Sequence, residues 1–278
     1  MKYLYVLTPA VPRHDCHNDS IIPSLKFLGE CGLFENIMWY VNIDNPTSNR
    51  FKFEDRDISL NNFKKADIGK VNLDINLPEH PCFYEAFSHL LNKMKKHIDD
   101  NNIKKEDYCF IWWEDDWVIS KHEEITKDIQ YFVDNDEIKF YTLYKNKLNM
   151  GGNPQFMKGE LYEQYFRNLD LRNENKRDPE VIIRNEIFKD NIFDNYVFEA
   201  MELGDNVITN PNLTFKDKLI IANRKAETQI DTFIISNGMY GSTVEDIGDD
   251  WRDARGFTKW STHQKEHGIK STNNYTYN

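Results

Sequence analysis

The most constraining feature of this chain is a strand–helix–strand pattern in its first 45 residues. Tyr3–Leu7 (YLYVL) is a β-branched and aromatic run that meets Thr8-Pro9. It reads as a buried strand followed by a loop. Asn18-Asp19-Ser20 offers an N-cap, apolar residues recur at Ile22, Leu25 and Leu28, and Gly32 closes the run Ile21–Cys31. That spacing predicts a helix. Ile37–Ile43 (IMWYVNI) is a second strand ending at Asp44. Two strands joined by a helix over so short a span form a βαβ unit, so the sheet should be parallel here.

The same reading extends along the first half. Residues 45–80 look polar and irregular, with Pro46 and Pro78. Phe83, Phe87, Leu90, Leu91, Met94 and Ile98 share one face of an amphipathic helix. Tyr108–Trp113 (YCFIWW) is the most apolar strand, His122–Phe132 reads as helix, and Ile138–Tyr144 as another strand. Leu161–Leu169 and Glu180–Phe188 look helical, and Tyr196–Met201 reads as a strand. The last 40 residues, rich in Gly, Thr, Asn and Asp, read as a partly ordered tail wrapping the domain. The expected architecture is α/β: one Rossmann-like domain over residues 1–278, with a mostly parallel sheet and a more irregular C-terminal half.

Composition narrows the function. There are 35 Lys+Arg against 46 Asp+Glu, a formal net charge of −11. Affinity for phosphate backbones comes mainly from Lys and Arg, so no nucleic-acid partner is expected. Cys16, Cys31, Cys82 and Cys109 contain no C-x-x-C pair; this argues against a common structural zinc site and for reduced thiols. Pro9 and Pro12 come too early for a secretory apolar core. No apolar stretch approaches the roughly 20 residues that span a bilayer. The sequons at Asn18, Asn212 and Asn274 then read as accidental, and the expected location is cytoplasmic.

The chemistry concentrates at Glu114-Asp115-Asp116, directly after the strand Tyr108–Trp113 and flanked by Trp112, Trp113 and Trp117. In parallel α/β sheets, ligands bind at the carboxyl ends of strands. Three carboxylates there repel one another, and a hard cation, Mn²⁺ or Mg²⁺, would relieve the repulsion while holding substrate phosphates. If the segment is extended, Glu114 and Asp116 point together and Asp115 away. The alternative is a solvated acidic turn capping the next helix.

This acidic cluster resembles the D-x-D motif of GT-A glycosyltransferases, in which a carboxylate-bound metal bridges the diphosphate of a nucleotide sugar. The opening YLYVLTPAVPR and the later MWYVNID are similar to the inverting glucuronosyltransferase type. Its first strand ends in T-P and is followed by an Arg, and its second strand ends in an acid. The resemblance covers about residues 1–145, and Glu rather than Asp stands first in the motif. It implies a GT-A-like fold with a nucleotide-sugar half (1–145), an acceptor half (146–235) and a C-terminal tail or lid (236–278). It implies that Thr8, Pro9, Arg13 and Asp115 line the nucleotide and that Asp44 faces the base or ribose. It further implies that Asp116 and Glu114 hold the metal, with His263 able to complete its shell. A guanidinium suits a diphosphate, although Arg13 could equally be a surface arginine, and Asp44 could simply open a turn with Asn45-Pro46.

An inverting transferase needs a general base within hydrogen-bond reach of the acceptor hydroxyl. Glu180 is the first candidate and Asp178 the second; Asp178-Pro179-Glu180 is equally a good helix start. Met150-Gly151-Gly152-Asn153-Pro154 is a loop where backbone can approach a ligand, or a plain turn. His14 and His17, three apart in a loop, are weak metal evidence. The expected activity is a metal-dependent glycosyltransferase moving a sugar from a nucleotide-diphosphate sugar, UDP-sugar favoured, to a glycan or other hydroxyl acceptor. Two alternatives are a sugar-1-phosphate nucleotidyltransferase, against which the glycine-free loop after the first strand counts, and a non-catalytic sugar-binding or assembly module.

Overall fold

Strand β1 runs over Tyr3–Ala10 and β2 over Asn36–Ile43, paired in parallel from Tyr3↔Asn36 to Ala10↔Ile43. A computed structural model describes residues 1–46, 51–79, 83–136, 138–143, 154–169, 234–237 and 243–254. Alternation splits the side chains of these strands between two cores. Leu4, Val6, Trp39 and Val41 face one side of the sheet, and Tyr5, Leu7 and Tyr40 the other. The first side is covered by α2 (Ile21–Glu30), α3 (Phe53–Lys65) and α5 (His122–Asp134), through Leu25, Phe63 and Ile129 among others. The second is covered by α4 (Phe83–Asp100), which buries Phe87, Leu90, Leu91, Met94 and Ile98 at helical spacing.

The other strands among the described residues are β3 (Val71–Asn76), β4 (Tyr108–Trp112), β5 (Trp117–Ile119), β6 (Ile138–Thr142), β7 (Gln155–Lys158), β8 (Ile234–Asn237) and β9 (Val244–Asp246). Seven of the strands form one sheet in the order β3-β2-β1-β4-β7-β6-β8, and β5 pairs with β9 in a small second sheet. The block β3-β2-β1-β4 is parallel throughout. Strand β7 is antiparallel to both of its neighbours, and β8 is parallel to β6. The protein is therefore α/β with a mostly parallel sheet, as expected. Both neighbours of β1 run beside it, but β2 follows it in sequence and β4 comes after two further units. The strand order thus reverses between β1 and β4, and such a switch point opens a crevice at the carboxyl ends of the strands.

Several local expectations need correction. Residues 45–80 are not irregular: they contain α3 and β3. Helix α3 escapes a periodicity reading because only Ser59 and Phe63 are buried on it. Its start is marked instead by Asp55, whose carboxylate accepts the Lys52 N–H at 2.7 Å. Strand β3 (VNLDIN) lies at the sheet edge and alternates polar residues, which masks its strand character. Strand β1 continues through Thr8-Pro9 to Ala10, because β2 pairs with it that far. The segment Asn18–Ser20 is not a simple cap: a short helix α1 covers His14–Asp19, and the Ser20 side chain makes no capping bond to α2.

In the second half, Gly159–Leu161 (α6) opens a helix that widens to a π-turn over Tyr162–Phe166. The tail supplies strand β9 and the last described helix, α7 (Gly248–Ala254). Residues 144–153, 170–233 and 255–278 lie outside the described residues, and with them Glu180–Phe188 and Tyr196–Met201. No described helix is long and apolar enough to cross a membrane. Cys16, Cys31 and Cys109 are free thiols.

Candidate functional site

The switch point between β1 and β4 is built from three chain segments. The first leaves β1 at Ala10, turns at Val11-Pro12 and enters α1, which presents Arg13 and His17. The second is the acidic turn after β4, where the Trp117 N–H reaches back to the Glu114 carbonyl at 3.4 Å. The third is the C-terminal segment, whose β9 pairs with β5 from Trp117↔Asp246 to Ile119↔Val244.

Arg13 and the two aspartates form the centre. Its Nη2 donates to Asp115 Oδ1 at 2.5 Å, its Nε to Asp115 Oδ2 at 3.2 Å, and its Nη1 to Asp116 Oδ2 at 2.5 Å. All three side chains are buried, with exposures of 8%, 1% and 4% for Arg13, Asp115 and Asp116. The turn defeats the alternation expected of an extended segment. Asp115 does not point away from Asp116; the two converge on one guanidinium. Arg13 accordingly does not stand free for a diphosphate, as the family resemblance implied, but serves first as countercharge to the turn.

His17 completes the shell around Asp115. Its Nε2 lies 2.8 Å from Asp115 Oδ2 and 3.0 Å from the Val11 carbonyl. Both neighbours are acceptors, so Nε2 carries a proton. Ser20 Oγ lies 2.6 Å from the Asp115 carbonyl and 2.7 Å from that of Cys16, which ties the acidic turn to the junction of α1 and α2. Burial would push the Asp115 carboxyl upward, but Arg13 and His17 hold it below the usual carboxylate range. Burial also opposes the charge on Arg13, yet Asp115 and Asp116 keep it firmly protonated. The nearby Cys16 thiol is pushed up to about 12 by burial and by Asp115, so it is no thiolate nucleophile at neutral pH.

A second polar group lies at the ends of β2 and β3. Asn42 Nδ2 donates to Asp44 Oδ1 at 3.0 Å, and Asn76 Nδ2 donates to Asn42 Oδ1 at 2.6 Å. The Asp44 N–H bonds the Ala10 carbonyl at 2.9 Å, fixing it beside the end of β1. Burial, with Asp115 adding to it, pushes the Asp44 carboxyl up to about 7, against the opposing pull of Arg56 and the Asn42 bond. Thr8 is fully buried and accepts from Trp39 Nε1 at 2.9 Å, so its side chain holds the strand end rather than facing the crevice. Pro9 lies opposite Asn42 in the ladder. Glu114 is half-buried at the head of the turn. Asp178, Glu180 and His263 lie outside the described residues.

The C-terminal segment seats directly on the acidic turn. The Ile247 N–H donates to the Asp116 carbonyl at 3.0 Å. A Cβ on Gly248 would lie 2.0 Å from Asp116 Oδ2, so only glycine fits there. Trp251 Nε1 donates to Asp15 Oδ1 at 2.8 Å, and the Trp251 ring stacks on Phe51 at 6.1 Å. Residues 243–254 of the expected tail or lid are thus packed against the turn. Sequence reading gives His17 only as weak metal evidence and does not single out Asn42, Asn76 or Gly248 as site residues. Asn42, two residues before Asp44 at a strand end, carried a local signal; Gly248 carried none.

As arranged, these residues do not fit a divalent cation. Both oxygens of Asp115 are engaged by Arg13 and His17, and Asp116 shares the same guanidinium. Among the described residues, no three His, Cys, Asp or Glu side chains are grouped to hold a metal.

Neither a family model nor a curated protein matches this chain. A solved structure described as a crystal structure of a mycobacterial protein is similar with a TM-score of 0.34 and 11% identity, over 59% of this chain and 55% of that one. The chain spans about half the length of that structure.

Proposed function

We propose that this protein is a nucleotide-sugar glycosyltransferase of the GT-A type. The observation that carries the reading is the meeting of Arg13, Asp44 and the Asp115–Asp116 turn at the carboxyl ends of β1, β2 and β4. Those ends flank the crevice where open α/β sheets take nucleotides. In this reading Asp44, with Asn42 and Asn76 behind it, receives the ribose or base, and UDP is the favoured nucleotide. Arg13 is countercharge to the turn first, giving three of its five N–H groups to carboxylates, and offers the diphosphate at most the other two. The acceptor hydroxyl attacks the anomeric carbon, the bond to the diphosphate oxygen breaks, and the nucleoside diphosphate leaves. For inversion the hydroxyl proton passes to Glu180 or Asp178. The metal dependence implied by Glu114, Asp116 and His263 is not carried by the geometry of the described residues.

The ion-paired state of both aspartates favours one other reading, a non-catalytic sugar-binding module whose acidic turn is structural. Thermal-shift measurements with UDP, GDP, CMP and dTDP test the first reading. A ligand specific to the native state stabilises it by about 2.7 kcal/mol at 100 times its Kd. A shift with one nucleotide, followed by sugar transfer that Asp44→Asn weakens, supports the transferase. No shift with any nucleotide, in EDTA or in Mn²⁺, sinks it.

A further inference from the structure

The geometry points to Arg13 as the resident countercharge of the acidic turn, occupying with its guanidinium the place that a divalent cation would take between Asp115 and Asp116. Two adjacent buried carboxylates cannot stay ionised without a partner, because burial penalises each charge and each repels the other. Either a cation or a protein base must answer them. Here a single planar fork does so, with three N–H groups aimed at three carboxylate oxygens. Its stem is anchored, since Arg13 begins the turn into α1 and its N–H bonds the Val11 carbonyl at 2.7 Å.

The surroundings reinforce the assignment. His17 donates to the second oxygen of Asp115, so that carboxylate has no oxygen facing away from a protein donor. Gly248 closes against Asp116 Oδ2, which leaves no room on that side for a hydrated ion. A cation entering between the aspartates must displace the guanidinium, and two like charges cannot share the position. Both oxygens of Asp115 and Oδ2 of Asp116 are thus answered by protein donors without metal, and nucleotide binding, where it rests on the transferase reading, proceeds in chelator.

The test is Mn²⁺ binding, followed by electron paramagnetic resonance of the free ion, to the full chain as wild type, Arg13→Gln and Asp116→Asn. Wild type is expected to bind Mn²⁺ no more tightly than Asp116→Asn, and its melting temperature to be the same in EDTA and Mn²⁺. Arg13→Gln uncovers the carboxylates and should bind Mn²⁺ at least about tenfold more tightly than wild type, as loss of an opposing unit charge at contact distance requires. Wild-type binding that Asp116→Asn removes overturns the assignment. So does a folded Arg13→Gln with no gain. Should Arg13→Gln not fold, the comparison of wild type with Asp116→Asn decides alone. Failure of the transferase reading is separate: it is the absence of any nucleotide shift, whatever the metal result.

Discussion

Arg13 and Asp115, 102 residues apart in the chain, are joined by two hydrogen bonds in fork geometry at the switch point between β1 and β4. This pair ties the first loop of the protein to the end of its central apolar strand. With Asp116 and His17 it forms one buried ionic cluster, and the C-terminal segment is built over it. Removing one member leaves the others charged in a dry place, which costs far more than the pair itself is worth.

Arg13→Ala should therefore destabilise the protein by about 3–5 kcal/mol. Arg13→Lys should recover only part of that, since an ammonium cannot match two carboxylates with a planar fork. Urea denaturation midpoints of the three proteins check the order. Equal midpoints for Arg13→Ala and wild type would mean the cluster is solvated.

Gly248→Ala tests the seating of the tail. A Cβ placed 2.0 Å from Asp116 Oδ2 forces the backbone or the carboxylate to move. The expected cost is about 1–3 kcal/mol, the usual range for overpacking a close contact. Hydrogen exchange should rise in residues 243–254 and in β5, because β5 and β9 share their ladder. Exchange confined to the substituted residue would count against the docked segment acting as a unit.

Asp44 makes stability depend on pH with a definite sign. Its native carboxyl titrates at about 7, above the unfolded value near 4, so the folded state holds the extra proton between them. Its contribution is complete below about pH 4 and is lost as pH rises through about 7. Asp44→Asn should remove that slope and gain on wild type by up to about 4 kcal/mol by pH 8. Parallel stability–pH curves for the two proteins would show that the carboxyl is not held protonated.

Thr8→Val tests the strand end. It removes the acceptor of the buried Trp39 Nε1 while keeping side-chain volume. An indole N–H left without its acceptor should cost about 1–3 kcal/mol. In the double variant with Trp39→Phe the losses should add to less than their sum, since both single changes break the same bond. Full additivity would show that the bond contributes nothing.

Much of the scaffold was legible in the residues themselves. Strand β2, helix α2, helix α4 and strand β4 each carry an apolar pattern that matches their period, and the βαβ opening required a parallel sheet. Helix α3 and strand β3 were not legible, because neither buries enough side chains to print a period on the sequence. The acidic turn announced itself by position, three acids after a buried strand.

What that turn faces was decided only in three dimensions. The residues 114–116 specify carboxylates at a strand end and nothing about their partner, which a cation, a solvent shell or an arginine could each supply. Packing β4 beside β1 brings Arg13 and His17 to Asp115, and pairing β9 with β5 lays Gly248 on Asp116. Periodicity reports how one segment meets the core. It carries no record of which distant segment arrives there, because that is settled by sheet order and by the closure of long connections.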